Sequence, residues 1–476
     1  MPELPEVETV RRLLEPAIID RTIAQVTVHY WRMVQSDHAR FVPTLVGRTF
    51  KKIDRVGKFL VFRFDTDLIM ISHLRMEGKF LALKGHEPDS DYARVVFHFT
   101  DGGKLVYDDS RCFGIMKLTT SDRYLCEEPL TKVGPEPFVI ESAEGLWSAY
   151  RKSTRPIKEL LLDQTVMTGL GNIYADEVLF KARIHPELPG NLLTLKEAKR
   201  LLEYSKTVLA EAIEAGGSTV RTYHAAQGVD GRFQQKLLAY DRGGEPCLRC
   251  GHPLTKIKVK GRGSTYCPRC QINRAIPLVV AVTGTMHSGK STLLHIAAER
   301  GYPALSSDAL VKELYEEPGS LSKLESIIKA PFPNHQYESG WVLHAILKDP
   351  KTKKRLEKWV HPTIKKRVLA WIARQRASHV FIEVPLLYEA GWDGFAQYVI
   401  GVKVAPALLR KRIEADYPNP EMALSLAATN QFPSYEKRVD RLLVNDASYE
   451  VFLAEARQAI EAAITESIKA AQSADF

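Results

Sequence analysis

Apolar positions along the chain fall into short runs and periodic stripes, with no long uninterrupted block. The longest purely apolar runs are of the size of Leu278–Val282, far below the roughly eighteen residues that a membrane-spanning helix requires. Lys256, Ile257, Lys258, Val259 and Lys260 alternate basic and apolar side chains, which predicts a strand with one cationic and one packing face. Helical spacing marks residues 155–163 and 172–182, with Gly169, Leu170 and Gly171 forming a turn between them. Beyond residue 277 the pattern changes. Apolar strands at Leu278–Val282 and Val380–Val384 alternate with charged helices at about 351–376 and 449–470, which predicts a parallel α/β layer.

The chain has 476 residues, enough for about three domains. Its 45% hydrophobic and 26% charged content is that of a globular protein and excludes fibrous or disordered classes. The start, MPELPEVETV, carries acids where a secretory signal would be basic and apolar, so a cytosolic monomer with no membrane association is expected. The net charge of +9 suits a polyanionic partner, and its location sharpens that. Residues 1–276 hold 41 basic and 34 acidic side chains, whereas residues 277–476 hold 25 and 23. Residues 251–276 contain six basic groups and no acid.

That basic stretch contains cysteines. Cys247 and Cys250, then Cys267 and Cys270, have the spacing of a structural zinc site. Each close pair can span one edge of a tetrahedron while the intervening residues return as a hairpin. Disulfides are the rival reading, disfavoured in a reducing compartment. Four protein ligands leave no open position, so the ion would be structural. Cys112 and Cys126 stand apart and read as ordinary semi-buried side chains. Gly261, Arg262 and Gly263 form the hairpin turn, and an Arg flanked by glycines can approach phosphates or a DNA groove with little obstruction.

Pro2 follows the initiator Met, and removal of that Met is expected after so small a residue. The secondary amine thus exposed titrates nearer neutrality than a lysine and can act as a nucleophile. Glu3 is placed to move protons beside it.

MPELPEVETVRR resembles the start of the bacterial formamidopyrimidine-DNA glycosylases, which excise oxidised purines such as 8-oxoguanine and nick the resulting abasic strand. The resemblance runs through about 275 residues, in VGKFLVF, HLRMEG, DSRCFG, PIKELLLDQ, TGLGNIYADEVLF, GGSTVRTY and GRGSTYCPRCQ. It implies that Pro2 is the Schiff-base nucleophile and Glu3 its acid/base partner, with Lys58 assisting β-elimination and Arg262 assisting δ-elimination. It also implies that Met76, Arg111 and Phe113 fill the gap left by the extruded base, and that Lys158 and Asn172 contact phosphates. Base extrusion is required because the reacting atoms are buried in the duplex. Residues 216–235 correspond to a loop closing on the extruded base. Asp91, Tyr92, Ala93 and Arg94 depart from the family, which tends to place a His-containing DNA contact there; Tyr92 is retained as a DNA-binding candidate. A related glycosylase of oxidised pyrimidines is the alternative for this part.

The family usually ends after the last zinc cysteine, yet two hundred residues follow a tight junction at Gln271–Pro277. The strand at 278–282 runs into Gly284-Thr285-Met286-His287-Ser288-Gly289-Lys290-Ser291, a phosphate-binding loop before a helix beginning near Thr292. Gly284, Ser288, Gly289, Lys290, Ser291 and Thr292 are the nucleotide-binding candidates, for ATP with Mg²⁺ on Ser291. Ser307-Asp308-Ala309, Trp359-Val360-His361-Pro362 and Val384-Pro385-Leu386-Leu387-Tyr388-Glu389 resemble dephospho-CoA kinase, which phosphorylates the ribose 3′-hydroxyl of dephospho-CoA. That resemblance makes Asp308 the carboxylate that accepts or orients the hydroxyl proton and Arg410 and Arg412 candidate lid arginines. Ser306 and Lys312 depart from an acid and an Arg common in that family, so an inactive kinase-like interaction module is the alternative. The expected architecture is multidomain: a β-sandwich at 1–130, a helix-two-turn-helix and zinc-finger domain at 131–276, and an α/β P-loop kinase domain at 277–476. Its partners are damaged double-stranded DNA, ATP and dephospho-CoA.

Overall fold

A computed structural model describes residues 2–218, 232–332, 337, 339–416, 420–428 and 431–473. The chain divides into two compact units, Met1–Cys267 and Pro268–Phe476.

The first unit opens with the helix Leu4–Ile18, whose start is set by a reciprocal capping pair, Glu3 with the backbone of Glu6 and Glu6 with the backbone of Glu3. Such a pair satisfies donors that the first helical turn leaves open. Two four-stranded antiparallel sheets follow. One has the order Ile23–Val28, Ala93–Phe99, Gly103–Asp108, Lys79–Lys84; the other runs Phe50–Val56, Phe59–Phe64, Leu68–His73, Ile115–Thr120. Alternate residues of both sheets point into a shared core that includes Phe50, Phe62, Phe80, Phe97 and Tyr107, all fully buried. Each such ring contributes on the order of 1.5–3 kcal/mol by leaving water.

A second core gathers the helices Ala143–Tyr150, Ile157–Leu162, Asn172–Ala182 and Leu195–Glu214. The expected helix at 155–163 is shorter because Pro156 occupies its N-cap, where a proline disfavours helical backbone in the residue before it. The helix Leu4–Ile18 serves both cores: Val7, Val10, Leu14 and Ile18 enter the sheet core, while Leu4 enters the helical one. The boundary expected after residue 130 therefore falls inside one compact unit. The alternating Lys256–Lys260 stretch forms the strand Thr255–Val259, paired antiparallel with Arg262–Tyr266.

The second unit is a five-stranded, all-parallel sheet in the order Ala304–Ser306, His379–Glu383, Leu278–Gly284, Tyr398–Lys403, Arg441–Val444. Strands buried on both faces read as continuous apolar runs, which is why Leu278–Val282 and Val380–Val384 stand out in the sequence. One face is covered by Ile364, Val368 and Ile372 of the helix Pro350–Arg374, the other by Ala456, Ile460 and Ala463 of the helix Tyr449–Ser473. From the central strand Leu278–Gly284 the chain passes to the edge strand Ala304–Ser306, returns to His379–Glu383, and only then crosses to Tyr398–Lys403 on the other side, which makes a switch point at which such folds bind ligands beyond the strand ends. Among the described residues no helix is long and apolar enough to cross a membrane.

Leu4 is fully buried and lies against Gly169. Leu4→Ala is expected to lower the unfolding free energy of the first unit by about 2–5 kcal/mol, measured by urea denaturation of the intact chain. A cost below about 1 kcal/mol would show that the helix is not anchored through this side chain.

Candidate active sites

Pro2 is buried at the head of the first helix, and Glu3 beside it is almost fully buried. The Glu3 carboxylate accepts hydrogen bonds from the backbone N–H groups of Gly171 at 2.5 Å, Ile173 at 2.9 Å and Tyr174 at 3.3 Å. These groups open the helix Asn172–Ala182, whose N-terminus favours negative charge. Burial nevertheless dominates and pushes the Glu3 carboxyl up to about 7, with Lys58 opposing and Glu6 reinforcing the rise. Lys58, equally enclosed, donates to the Leu170 carbonyl at 2.6 Å. Burial pushes its ammonium down to about 8, opposed by Glu3 and Glu6 and assisted by Arg262. A carboxyl and an amine that both exchange protons near neutrality are suited to acid–base work.

Arg262 begins the second hairpin strand after Gly261, which adopts a left-handed φ of +81°. It is exposed, and its charge reaches both Lys58 and Lys158. Lys158, expected at a phosphate, is instead wholly enclosed. Its Nζ donates to Asp176 at 2.7 Å and to the Gly263 carbonyl at 2.8 Å, so it ties the hairpin turn to the helix Asn172–Ala182. The correction has a simple cause: a buried ammonium requires a paired carboxylate, and the sequence does not display the pairing with Asp176. Asn172 begins that helix next to Tyr240.

Met76, Phe113 and Tyr92 are large apolar side chains left 37%, 53% and 51% exposed. Arg111 lies over the Phe113 ring at 5.1 Å, and Arg94 over the Tyr92 ring at 5.8 Å. Most of the loop expected at 216–235 lies outside the described residues. At its near edge Ser218 donates to Glu6 from N–H at 2.7 Å and from Oγ at 3.1 Å. Glu6 also accepts from the Tyr174 hydroxyl at 2.5 Å. Sequence reasoning passed over Glu6, although its place three residues after Glu3 was a readable capping signal.

The four thiols of Cys247, Cys250, Cys267 and Cys270 lie within 4.8 Å of one another, and those of Cys250 and Cys267 are 3.5 Å apart. Thiolates about 2.3 Å from a shared tetrahedral ion are separated by comparable distances, so the set fits zinc.

In the second unit the phosphate-binding loop leaves the central strand and enters the helix Lys290–Glu299. Gly284 has φ +144°, and a Cβ there would collide with the Val402 carbonyl; Gly289 has φ +104° and its Cβ would meet Asn445 at 2.7 Å. Only glycine fits either place. Ser288, Ser291 and Thr292 border a cavity of about 400 Å³ with Arg412, Asn445 and Tyr449. Arg412 donates to the His287 carbonyl at 2.9 Å, and Asn445 to the Ser288 carbonyl at 2.7 Å. Arg412 thus braces the loop, while Arg410 forms a surface pair with Glu414 at 3.6 Å.

An adjoining cavity of about 650 Å³ is bordered by Lys290, Ser291, Asp308, Lys353, His361, Glu383 and Trp392. Asp308 lies in the first turn of the helix Ser307–Glu316. Lys290 sits 4.0 Å from Glu383; burial lowers the pKa of the ammonium, with Glu383 and Asp308 opposing. Glu383 was also missed, because a carboxylate ending an apolar strand carries no local signature until the sheet order sets it beside the phosphate-binding loop.

These arrangements define a zinc-hairpin DNA glycosylase followed by a P-loop kinase unit. Family models match the formamidopyrimidine-DNA glycosylase N-terminal domain at residues 1–116, its H2TH domain at 133–224, the zinc finger found in FPG and IleRS at 244–272 and dephospho-CoA kinase at 278–471. The formamidopyrimidine-DNA glycosylase of Ligilactobacillus salivarius is 46% identical over 276 residues, 57% of this chain and 99% of that protein; the one from Bacillus licheniformis is 47% identical over 274 residues, again 57% and 99%. A crystal structure of a Lactococcus lactis FPG mutant in complex with Fapy-dG-containing DNA matches with a TM-score of 0.55 and 42% identity, covering 57% of this chain and all of that one. A structure of MutM with carbocyclic 8-oxo-G-containing DNA matches at 0.54 and 41%, with the same coverage. The chain belongs to the formamidopyrimidine-DNA glycosylase family, and its residues 278–471 match the dephospho-CoA kinase family model.

Glu3 supplies a pH test. Its folded pKa of about 7 stands above its ordinary 4.5, so the folded state binds the extra proton and wild-type stability falls as pH rises from about 4.5 to 7. Glu3→Gln lacks that titration. Its stability relative to wild type is expected to climb across this window and stay level above it, read from denaturant midpoints at several pH values. A difference independent of pH would contradict the raised pKa.

Proposed function

We propose that the first unit is a DNA glycosylase and abasic-site lyase for oxidised purines, with Pro2 as nucleophile. The observation that carries this is the buried Glu3 carboxylate, clamped by three backbone N–H groups beside Pro2 and close to Lys58. The Pro2 nitrogen attacks C1′ of the damaged nucleotide, the C1′–base bond breaks, and the base leaves with a proton. The amine gives up its N–H proton, the C1′–O4′ bond opens with O4′ taking a proton, and the resulting iminium acidifies the C2′ proton. Its removal expels the 3′ phosphate in β-elimination, assisted by Lys58, and a second elimination assisted by Arg262 expels the 5′ phosphate. Glu3, titrating near neutrality, moves protons at the sugar. Met76, Arg111 and Phe113 occupy the gap in the duplex, and Tyr92 adds an aromatic contact to its rim. The four cysteines would hold zinc, which secures the hairpin carrying Arg262.

Borohydride should trap the wild-type chain on a duplex containing 8-oxoguanine opposite C, and Pro2→Gly should abolish trapping. Trapping that survives in Pro2→Gly would reject Pro2 as nucleophile. Greater excision of thymine glycol opposite A than of 8-oxoguanine would favour the pyrimidine reading.

For the second unit the proposal is an ATP-dependent kinase acting on dephospho-CoA. The ribose 3′-hydroxyl oxygen attacks the γ-phosphorus, the bond to the ADP oxygen breaks, and Asp308 takes the hydroxyl proton or orients the attacking oxygen. Lys290 stabilises the β- and γ-phosphate oxygens, and Ser291 would hold magnesium. The carrying observation is that Lys290, Ser291, Asp308 and Glu383 border one cavity. ATP-dependent phosphorylation of dephospho-CoA should exceed that of Lys290→Ala by about a hundredfold. Equal rates would leave a nucleotide-binding module without kinase activity.

A further inference from the structure

The exposed side chains Met76, Arg111 and Phe113 project from two turns, and an exposed wedge works only if the backbone beneath it is held. Asp109 is fully buried beneath the second turn. Its Oδ1 accepts from the Arg111 N–H at 3.0 Å and its Oδ2 from the Gly114 N–H at 2.8 Å. One carboxylate thus spans the segment that carries Arg111 and Phe113, with Cys112 between them held at a left-handed φ of +57°. An L-residue keeps that conformation only when its surroundings impose it.

The Asp109 backbone is held from the neighbouring strand as well. Its N–H donates to the Tyr92 carbonyl at 2.9 Å, and its carbonyl accepts from Arg94 Nε at 2.8 Å. Ser110 and Glu77 are hydrogen-bonded, which joins this turn to the one bearing Met76. Beneath both, the Tyr107 hydroxyl occupies the space where a Cβ on Gly78 or Gly114 would stand. The two turns therefore form one platform.

We propose that Asp109 is a positioning residue for base extrusion: its buried carboxylate sets the turn that aims Arg111 and Phe113 into the duplex, and Arg94 holds the same turn from the next strand. The proposal rests on the glycosylase reading above. Asp109 touches neither substrate nor reacting atoms; its effect passes through the wedge. A loosened wedge penalises the step in which an intact base leaves the stack. It matters less at a preformed abasic site, where no base has to be unstacked.

The test uses the full chain and two variants, Asp109→Asn and Arg94→Gln. Asparagine keeps the size but replaces one acceptor oxygen with a donor facing a backbone N–H. Three readouts are needed: kcat/KM for excision of 8-oxoguanine opposite C, strand cleavage at a preformed abasic site, and the fluorescence rise of 2-aminopurine next to the lesion on binding. For Asp109→Asn, excision should fall by about tenfold or more, abasic cleavage by less than about threefold, and the fluorescence rise should be lost. Arg94→Gln should show the same pattern to a smaller degree, and it carries the test if Asp109→Asn does not fold. An active wild type matched by both variants would overturn the positioning role alone. Equal loss of both activities with a lowered Tm would overturn it in favour of a general folding role. An inert wild type would overturn the glycosylase reading and this proposal together.

Discussion

The first unit depends on one carboxylate, that of Glu3, taken out of water and held at the start of the helix Asn172–Ala182. A buried charge is tolerated only where donors and counter-charges replace its hydration, and here those partners come from residues about 170 positions away. The same contact seats Pro2, draws in Lys58 and brings the helical core against the sheet core, with Leu4 as its apolar companion. Because burial holds the carboxyl near 7 and the ammonium near 8, the packing that unites the unit also sets the chemistry of its site. Lys158 and Asp176 repeat the principle one layer further out, as a buried pair that fastens the turn after Arg262.

The second unit solves a different problem with a different constraint. Its loop must present backbone N–H groups to phosphates, and that demands glycine where neighbouring atoms leave no room for a Cβ, as at Gly284 and Gly289. Arg412 and Asn445 then hold the loop by its carbonyls. The lid role the family resemblance suggested for Arg412 is therefore replaced by a bracing one, which leaves Lys353 and His361 among the basic side chains facing the larger cavity.

Features encoded within a few neighbouring residues were legible in the chain alone. Cysteine spacing announced the four-thiol cluster, the glycine-rich loop followed a strand and opened a helix, and period-two alternation marked Thr255–Val259. The excess of 41 basic over 34 acidic side chains also falls in residues 1–276, the part of the chain that matches the glycosylase family. Helix limits were less secure, as Pro156 shows, because a single capping residue shifts an end without disturbing the periodic stripe.

What only the tertiary structure decided were the pairings between distant positions: Glu3 with residues 171–174, Lys158 with Asp176, Glu6 with Ser218, and Glu383 with Lys290. Asp109 belongs with them, since Tyr92 and Arg94 hold it only after two strands have paired. A charged side chain looks alike in sequence whether it ends in solvent or in a core. Its partner, and with it the choice between surface contact and buried strut, is set by chain topology, because desolvation and hydrogen bonding act between atoms brought together in space.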